Sequence, residues 1–224
     1  MLYVYPDEAT ARENAQDRII PMLHASPRLR EYLTGMGDDL SSWRIKMAHL
    51  TIYMAWSGFA SRLGTKPIRY LILDELDKDQ NTKREAAAEA LAEKRVITWG
   101  KRAIIWKLST PTVVDGPIDR AFRQAEARFR YHVVCPACGS EVLMDFEHIR
   151  WPDDCRAPVK IISRSLGYYE CPHCHSCWND ADRDLAVRKG CWREESSGRD
   201  LASHLGVGGR LAPSFPVRAH IFIT

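Results

Sequence analysis

Ile68-Arg69-Tyr70-Leu71-Ile72-Leu73-Asp74-Glu75-Leu76-Asp77 is the stretch whose reading decides the fold. Five of its first six residues are apolar or aromatic. The run is too short for a membrane span and too continuous for a half-exposed strand, so it predicts a buried central strand of an α/β sheet. Asp74 and Glu75 then stand at its carboxyl end, where open parallel sheets place their ligands in the crevice beyond the strand tips. An apolar strand ending in Asp-Glu has the Walker B arrangement: the first acid holds Mg²⁺ on a nucleoside triphosphate and the second polarises an attacking water. A strand-to-helix turn that uses Asp only as a helix cap is the blander alternative.

Working downstream, Lys78 to Asn81 is a polar turn, 82–98 predicts a helix with a mixed apolar face, and 103–108 predicts a second strand. That strand ends in Ser109-Thr110-Pro111-Thr112. In P-loop ATPases with an extra strand between the Walker strands, a polar side chain on the neighbouring tip reaches the terminal phosphate or the attacking water, and Ser109 and Thr110 occupy that place. Alternatively they form a hydroxyl turn leading to a helix at 117–127. Upstream, Leu2 to Tyr5 reads as a strand, Pro6-Asp7-Glu8 as a helix start, and 9–20 as a helix broken at Pro21 and again at Ser26-Pro27, resuming over 28–33. A loop at 35–39, short strands at 43–47 and 51–55, and a connection over 57–65 lead back to the acid-tipped strand. No Gly-x-x-x-x-Gly-Lys-Ser/Thr occurs, so half of the nucleotide site is missing and the chain reads as starting at the strand after the phosphate loop.

The 224 residues are 45% hydrophobic and 27% charged, enough for one sizeable core or a core plus a small module. With 32 basic and 29 acidic residues the net charge is +3, so any contact with nucleic acid must come from local patches. Nothing resembles a signal peptide. Of seven cysteines, four stand as Cys135-Pro136-Ala137-Cys138 and Cys171-Pro172-His173-Cys174, which fits a reduced compartment with metal-bound thiolates better than a disulfide framework. Each pair makes a knuckle whose tight turn lets two sulfurs face one ion, and two knuckles supply a tetrahedral Cys₄ zinc site. The gap of about thirty residues between them exceeds the usual zinc-ribbon spacing, and hairpin insertions lengthen ribbons readily. Two redox dithiols are the competing reading, and His173, His175 and Cys177 lie close enough to compete as ligands. Around the knuckles, 129–134 and 142–146 read as strands, 181–189 as a helix capped by Asn179-Asp180, and Cys155 and Cys191 as ordinary thiols. Arg183, Arg188 and Lys189, with Lys160 and Arg164, form either a phosphate-contacting or a solvated basic face. The Gly/Ser/Pro-rich stretch 196–216 reads as a linker, and 220–223 as the start of a strand.

Tyr5-Pro6-Asp7-Glu8-Ala9-Thr10-Ala11, Lys66-Pro67 leading into the acid-tipped stretch, Ala92-Glu93-Lys94-Arg95 and Leu108-Ser109-Thr110-Pro111-Thr112 resemble, in order, the large terminase subunit of tailed phages of the lambda GpA type. The resemblance implies the ATPase of a motor that pumps double-stranded phage DNA into a procapsid, using ATP, Mg²⁺ and Zn²⁺. It implies Asp74 as the magnesium-binding acid, Glu75 as the catalytic carboxylate, and Ser109, Thr110 and Pro111 as the segment coupling hydrolysis to DNA movement. Implied partners are the small terminase subunit, the portal and further copies of the full-length chain, in the host cell cytoplasm and away from membrane. The fold expected is α/β: an incomplete P-loop (RecA-like ASCE) ATPase core over 1–128, a zinc ribbon over 129–195, and a cut linker and start of a following domain over 196–224. The family's C-terminal nuclease cluster has no counterpart among Glu194, Glu195 and Asp200, so the expectation is an internal fragment, such as a decayed prophage gene, inactive alone. Asp74-Glu75-Leu76-Asp77 with Ser109-Thr110 is also similar to the Asp-Glu-x-Asp and Ser-Ala-Thr motifs of superfamily 2 helicases. A zinc-ribbon module that binds nucleic acid or protein without catalysis is the third reading.

Overall fold

The computed structural model describes residues 1–58, 67–78 and 89–205. The chain divides into two compact units, Met1–Glu126 and a second beginning at Ala127. Most of the connection read at 57–65, much of the helix read at 82–98 and the strand read at 220–223 lie outside the described residues.

The first unit is built on β1 (Leu2–Tyr5), β2 (Arg44–Lys46), β3 (Thr51–Trp56), β4 (Tyr70–Leu73) and β5 (Ile104–Lys107), in the order β2-β3-β1-β4-β5. The last four are parallel, and β2 closes one edge antiparallel to β3. β4 is an inner strand, as its unbroken apolar run requires, while β1 holds the centre. Both faces are covered. Leu2 and Val4 of β1, Leu71 and Leu73 of β4, Ala55 and Ile105 pack with Ala92 and Val96 on one side. Tyr5, Ile52 and Met54 pack with Ala11, Ala15 and Leu23 on the other. Each Leu-sized side chain removed from water in this way contributes about 2 kcal/mol.

The covering helices differ from expectation where hydrogen bonding allows the chain to continue. Asp7 caps α1 (Glu8–Glu13) by accepting the Thr10 N–H at 2.8 Å. A π-helical segment, Asn14–Ile19, then passes straight into α2 (Ile20–Ala25), so Pro21 does not end the helix. Pro21 falls at the start of α2, just after the Ile20 N–H bonds five residues back to Ala15, and a missing donor is tolerated at such a junction. Ser26 caps α3 (Pro27–Arg30). On the opposite face the α-helix ends at Glu93, short of the expected 98, and a 3₁₀ segment Ile97–Arg102 turns the chain at Gly100 (φ +49°) into β5. Lys107 of β5 fastens that helix end, with Nζ 2.6 Å from Glu89 and 2.8 Å from Glu93. Burial pulls its ammonium pKa down, but the hydrogen bonds to the two carboxylates outweigh burial and leave it raised. α4 (Pro117–Arg123) follows the loop beyond β5 and buries Ile118 and Phe122 beside Leu76.

The second unit contains β6 (Phe129–Val134), β7 (Glu141–Leu143), β8 (Ile149–Arg150), α5 (Pro158–Ser163), β9 (Tyr168–Glu170), β10 (Cys177–Trp178), α6 (Asp180–Arg188), β11 (Cys191–Glu194) and α7 (Leu201–Leu205). It forms two small antiparallel sheets, β11-β6-β7 and β10-β9-β8. Val133, Val142, Tyr169, Trp178 and Ala186 pack around the buried Cys135 and Cys171. The strand expected over 142–146 ends at Leu143 and gives way to a 3₁₀ turn, Phe146–His148, and α5 fills the gap between the knuckles. Cys191 and Trp192 lie in β11 and pair with β6. α6 is capped as expected: Asn179 and Asp182 exchange side-chain-to-backbone hydrogen bonds. Arg183 pairs with Asp180 and Asp184 on the same helix, so the basic face read there is partly neutralised. Part of the expected linker is ordered around Glu194, which accepts hydrogen bonds from the Ser196 hydroxyl and from the Ser196 and Ser197 amides and has its carboxyl pKa lowered to about 2. Gly190 sits where a Cβ would come 2.5 Å from the His132 carbonyl, so a larger residue there would push β6 away.

Candidate functional site

β4 and β5 run parallel and in register, with Leu73 opposite Lys107, so their two exits lie side by side at one edge of the sheet. The Leu108 N–H donates to the Leu73 carbonyl at 2.8 Å, and the Leu76 N–H to the Leu108 carbonyl at 3.1 Å. Asp74, Glu75 and Ser109 are therefore brought together at adjoining tips, as the sequence reading requires.

Both oxygens of Asp74 are oriented by neighbours. Oδ1 accepts the Glu75 N–H at 3.0 Å and Oδ2 accepts the Tyr3 hydroxyl at 2.9 Å. Each carboxylate oxygen keeps a further acceptor position, so the group fits a role as one oxygen ligand, direct or through water, of a hard cation. Burial, with the neighbouring Tyr5 next and then the bond to Asp74, raises the Tyr3 pKa so that the hydroxyl stays a donor. The Tyr3 and Tyr5 rings stack at 4.5 Å on the same face of β1. Glu75 has φ +53°, a left-handed conformation that costs a non-glycine residue about 1–3 kcal/mol. Its carboxylate rests on Lys78 Nζ at 2.5 Å.

At the neighbouring tip the Ser109 hydroxyl is engaged within the protein. Its Oγ accepts the Asp77 N–H at 2.9 Å and donates to the Thr110 carbonyl at 3.2 Å, so the hydroxyl ties the two tips together. Thr110 and Pro111 are exposed beyond it. Asp77 is the residue the sequence reading left without a role. Its Oδ1 accepts the Ile118 N–H at the start of α4 (2.9 Å), its Oδ2 accepts the Thr112 N–H (3.2 Å), and its carbonyl accepts the Thr112 hydroxyl (3.3 Å). Gly116 lies so close that a Cβ would stand 2.7 Å from Asp77 Oδ2. Tyr3 and Asp77 carry no local signal because their partners are supplied by tertiary structure. Replacing Asp77 with Ala removes two charge-assisted acceptors and orphans the Ile118 amide, so we expect a loss of about 2–4 kcal/mol. Urea unfolding of the first unit would measure it, and an unchanged midpoint would show the latch to be incidental.

The second constellation lies in the second unit. Each knuckle is the same turn: the Cys135 N–H donates to the Ser140 carbonyl and the Gly139 N–H to the Cys135 carbonyl, and Cys171, Ser176 and His175 repeat both bonds, all four at 2.9 Å. The residue after each second cysteine is left-handed, Gly139 at φ +73° and His175 at φ +59°. Cys135, Cys138, Cys171 and Cys174 place their sulfurs within 4.8 Å of one another. Cys135 Sγ is 3.8 Å from Cys174 Sγ, and Cys138 Sγ is 4.0 Å from Cys171 Sγ. A tetrahedron with Zn–S bonds near 2.3 Å has sulfurs about 3.8 Å apart, so the donor set fits zinc. Against burial, which raises it, the Cys138 amide, the Ser176 hydroxyl and the Ala137 amide draw the Cys135 pKa down to about 6, whereas burial pushes Cys171 up to about 11. His175 turns its Nδ1 to Glu170 at 2.8 Å, while Cys177 sits exposed in β10 opposite Glu170; neither joins the sulfur cluster, nor does the exposed His173.

A parallel-containing α/β sheet with an acid pair at an inner strand tip is consistent with an ATPase domain. Residues 1–192 match the family model described as phage terminase large subunit gpA, ATPase domain, and the chain belongs to that family. No curated protein and no solved structure matches it.

Proposed function

We propose that this chain carries the Mg²⁺-ATP-facing acid pair and the coupling segment of a phage DNA-packaging motor. The observation that supports this most is the in-register exit of Asp74-Glu75 and Ser109 from adjacent parallel strands, in a chain whose residues 1–192 match the terminase ATPase family. In this reading Asp74, steered by Tyr3, would hold the magnesium ion; Glu75, released from Lys78, would polarise the attacking water; and Ser109-Thr110-Pro111 would couple hydrolysis to DNA movement. Bound Mg²⁺ neutralises charge on the terminal phosphates. A phosphate-cradling loop is absent from these 224 residues, so the chain alone turns over no ATP in this account.

In this reading the ATPase portion corresponds to 1–128, the zinc ribbon closed by Cys135, Cys138, Cys171 and Cys174 to 129–195, and the stretch from 196 to a linker. The motor setting brings double-stranded phage DNA, a small terminase subunit, the portal of the procapsid and further copies of the large subunit, in the host cytoplasm.

Asp74→Asn, assayed in a packaging ATPase reaction with this domain in the large subunit, is expected to raise the Mg²⁺ requirement for half-maximal turnover by at least about tenfold, because one anionic ligand is lost. An unchanged requirement would remove Asp74 from the metal site.

A further inference from the structure

The strand-entry edge of the first unit, opposite the acid pair, carries a cluster that the nucleotide reading does not use. Arg69 immediately precedes β4, and Arg102 lies just before β5. The Ile104 N–H donates to the Arg69 carbonyl at 2.9 Å and the Ile68 N–H to the Arg95 carbonyl at 3.0 Å, so three chain segments are stitched together there. The Arg69 guanidinium lies over Tyr70 (4.9 Å) and Trp99 (6.0 Å), the Arg102 guanidinium over the same Trp99 (5.5 Å), and Arg69 Nε donates to the Arg102 carbonyl at 3.1 Å. Two like charges thus flank one indole, with Lys94, Arg95 and Lys101 beside them in sequence.

No ordinary counter-ion accounts for this arrangement. Residues 67–73 and 94–102 contain no acid, and among the described residues none of these five cations forms an ion pair. The nearest acid in sequence, Glu93, is held by Lys107. Arg69, Lys94, Lys101 and Arg102 are exposed, so the edge presents cations to solvent with no acid among them, which suits an anion. Stacking on Trp99 restrains both guanidinium groups, so little side-chain freedom is lost when they pair with phosphate. From Arg69 to Asp74 the strand spans about 16 Å at roughly 3.3 Å per residue, beyond the reach of an arginine to a nucleotide at Asp74.

We propose that Arg69, Arg102 and Trp99, with Lys94, Arg95 and Lys101, form a docking site for the phosphate backbone of double-stranded DNA. The choice of duplex DNA among polyanions rests on the packaging reading above; the anion site itself rests on the cluster. Each of the two arginines stacked on Trp99 takes one phosphate, and the site reads no sequence, as a motor that moves along any DNA requires.

The test uses the zinc-loaded 224-residue chain and a short fluorescent duplex, with affinity measured against salt. Arg69→Ala/Arg102→Ala is expected to weaken binding roughly 50-fold near 0.1 M salt and to reduce the log–log salt slope by about two, since each phosphate contact contributes about 0.9 to that slope. Arg102→Gln, an exposed single change that leaves the Arg69 packing in place, is expected to lower the slope by about one. Arg183→Ala/Arg188→Ala on α6 is expected to leave binding unchanged. Wild-type affinity and slope in the Arg69/Arg102 variants would overturn the proposal, as would a parent chain that binds no duplex or binds only acidic polypeptide. A loss of DNA affinity in these variants alongside an unchanged Mg²⁺ requirement in Asp74→Asn would leave this site standing and remove Asp74 from the metal site.

Discussion

Serine in place of Cys135 and Cys138 is expected to abolish zinc binding and unfold the second unit while the first keeps its sheet. The core of that unit is small, and two of its buried members are the ligands Cys135 and Cys171 themselves. So few apolar side chains do not offset the conformational entropy of the residues they order. Zinc bound at four thiolates supplies about 10–16 kcal/mol in comparable small domains, enough to decide whether this one folds. Metal analysis should return about one zinc per folded parent chain and none for the variant, with loss of chemical-shift dispersion confined to residues after Ala127. A parent that folds fully without metal would remove zinc from the account. His175→Ala is expected to retain the ion, because His175 is engaged by Glu170 and not by the sulfur cluster.

Glu75→Gln, in a motor assembled with this domain, is expected to lower ATP turnover by about 10²–10³ while nucleotide still binds. The substitution keeps the side-chain length and the left-handed backbone at φ +53°, so what changes is the ability of the carboxylate to polarise water. That backbone is held by the Asp74 Oδ1 bond to the Glu75 amide and by the contact of the carboxylate with Lys78. Turnover within about threefold of the parent would assign the catalytic base elsewhere. Loss of nucleotide binding together with turnover would mean that Glu75 is structural.

The sequence made some of this plain and hid the rest for identifiable reasons. The Ile68–Leu73 run announced an inner strand because both faces of β4 are covered, and covered faces leave no polar alternation. The adjacency of β4 and β5 followed from one parallel crossover between two short apolar runs. The two knuckles were legible because the spacing within each fixes the turn, whereas β11 and α5 were not, since neither Cys191–Glu194 nor Pro158–Ser163 shows a clean apolar period. Pro21 misled because a proline rule assumes an uninterrupted α-helical ladder, and a π segment precedes it here. Ser109 carries a hydroxyl whose partner its own sequence neighbourhood does not name. Its bond to the Asp77 amide, like the hold of Tyr3 on Asp74, joins residues far apart in the chain and exists only once the sheet has formed.

The most direct measurement of the central claim is paramagnetic broadening by Mn²⁺-ATP in the isotope-labelled, zinc-loaded chain, which detects even weak occupancy of a metal site. The account predicts that the amide resonances lost first belong to 74–77 and 108–112, the two adjoining tips, with Arg69 and Arg102 at the far edge little affected. Broadening centred on that far edge, or the acid tip left sharp while other regions fade, would contradict it.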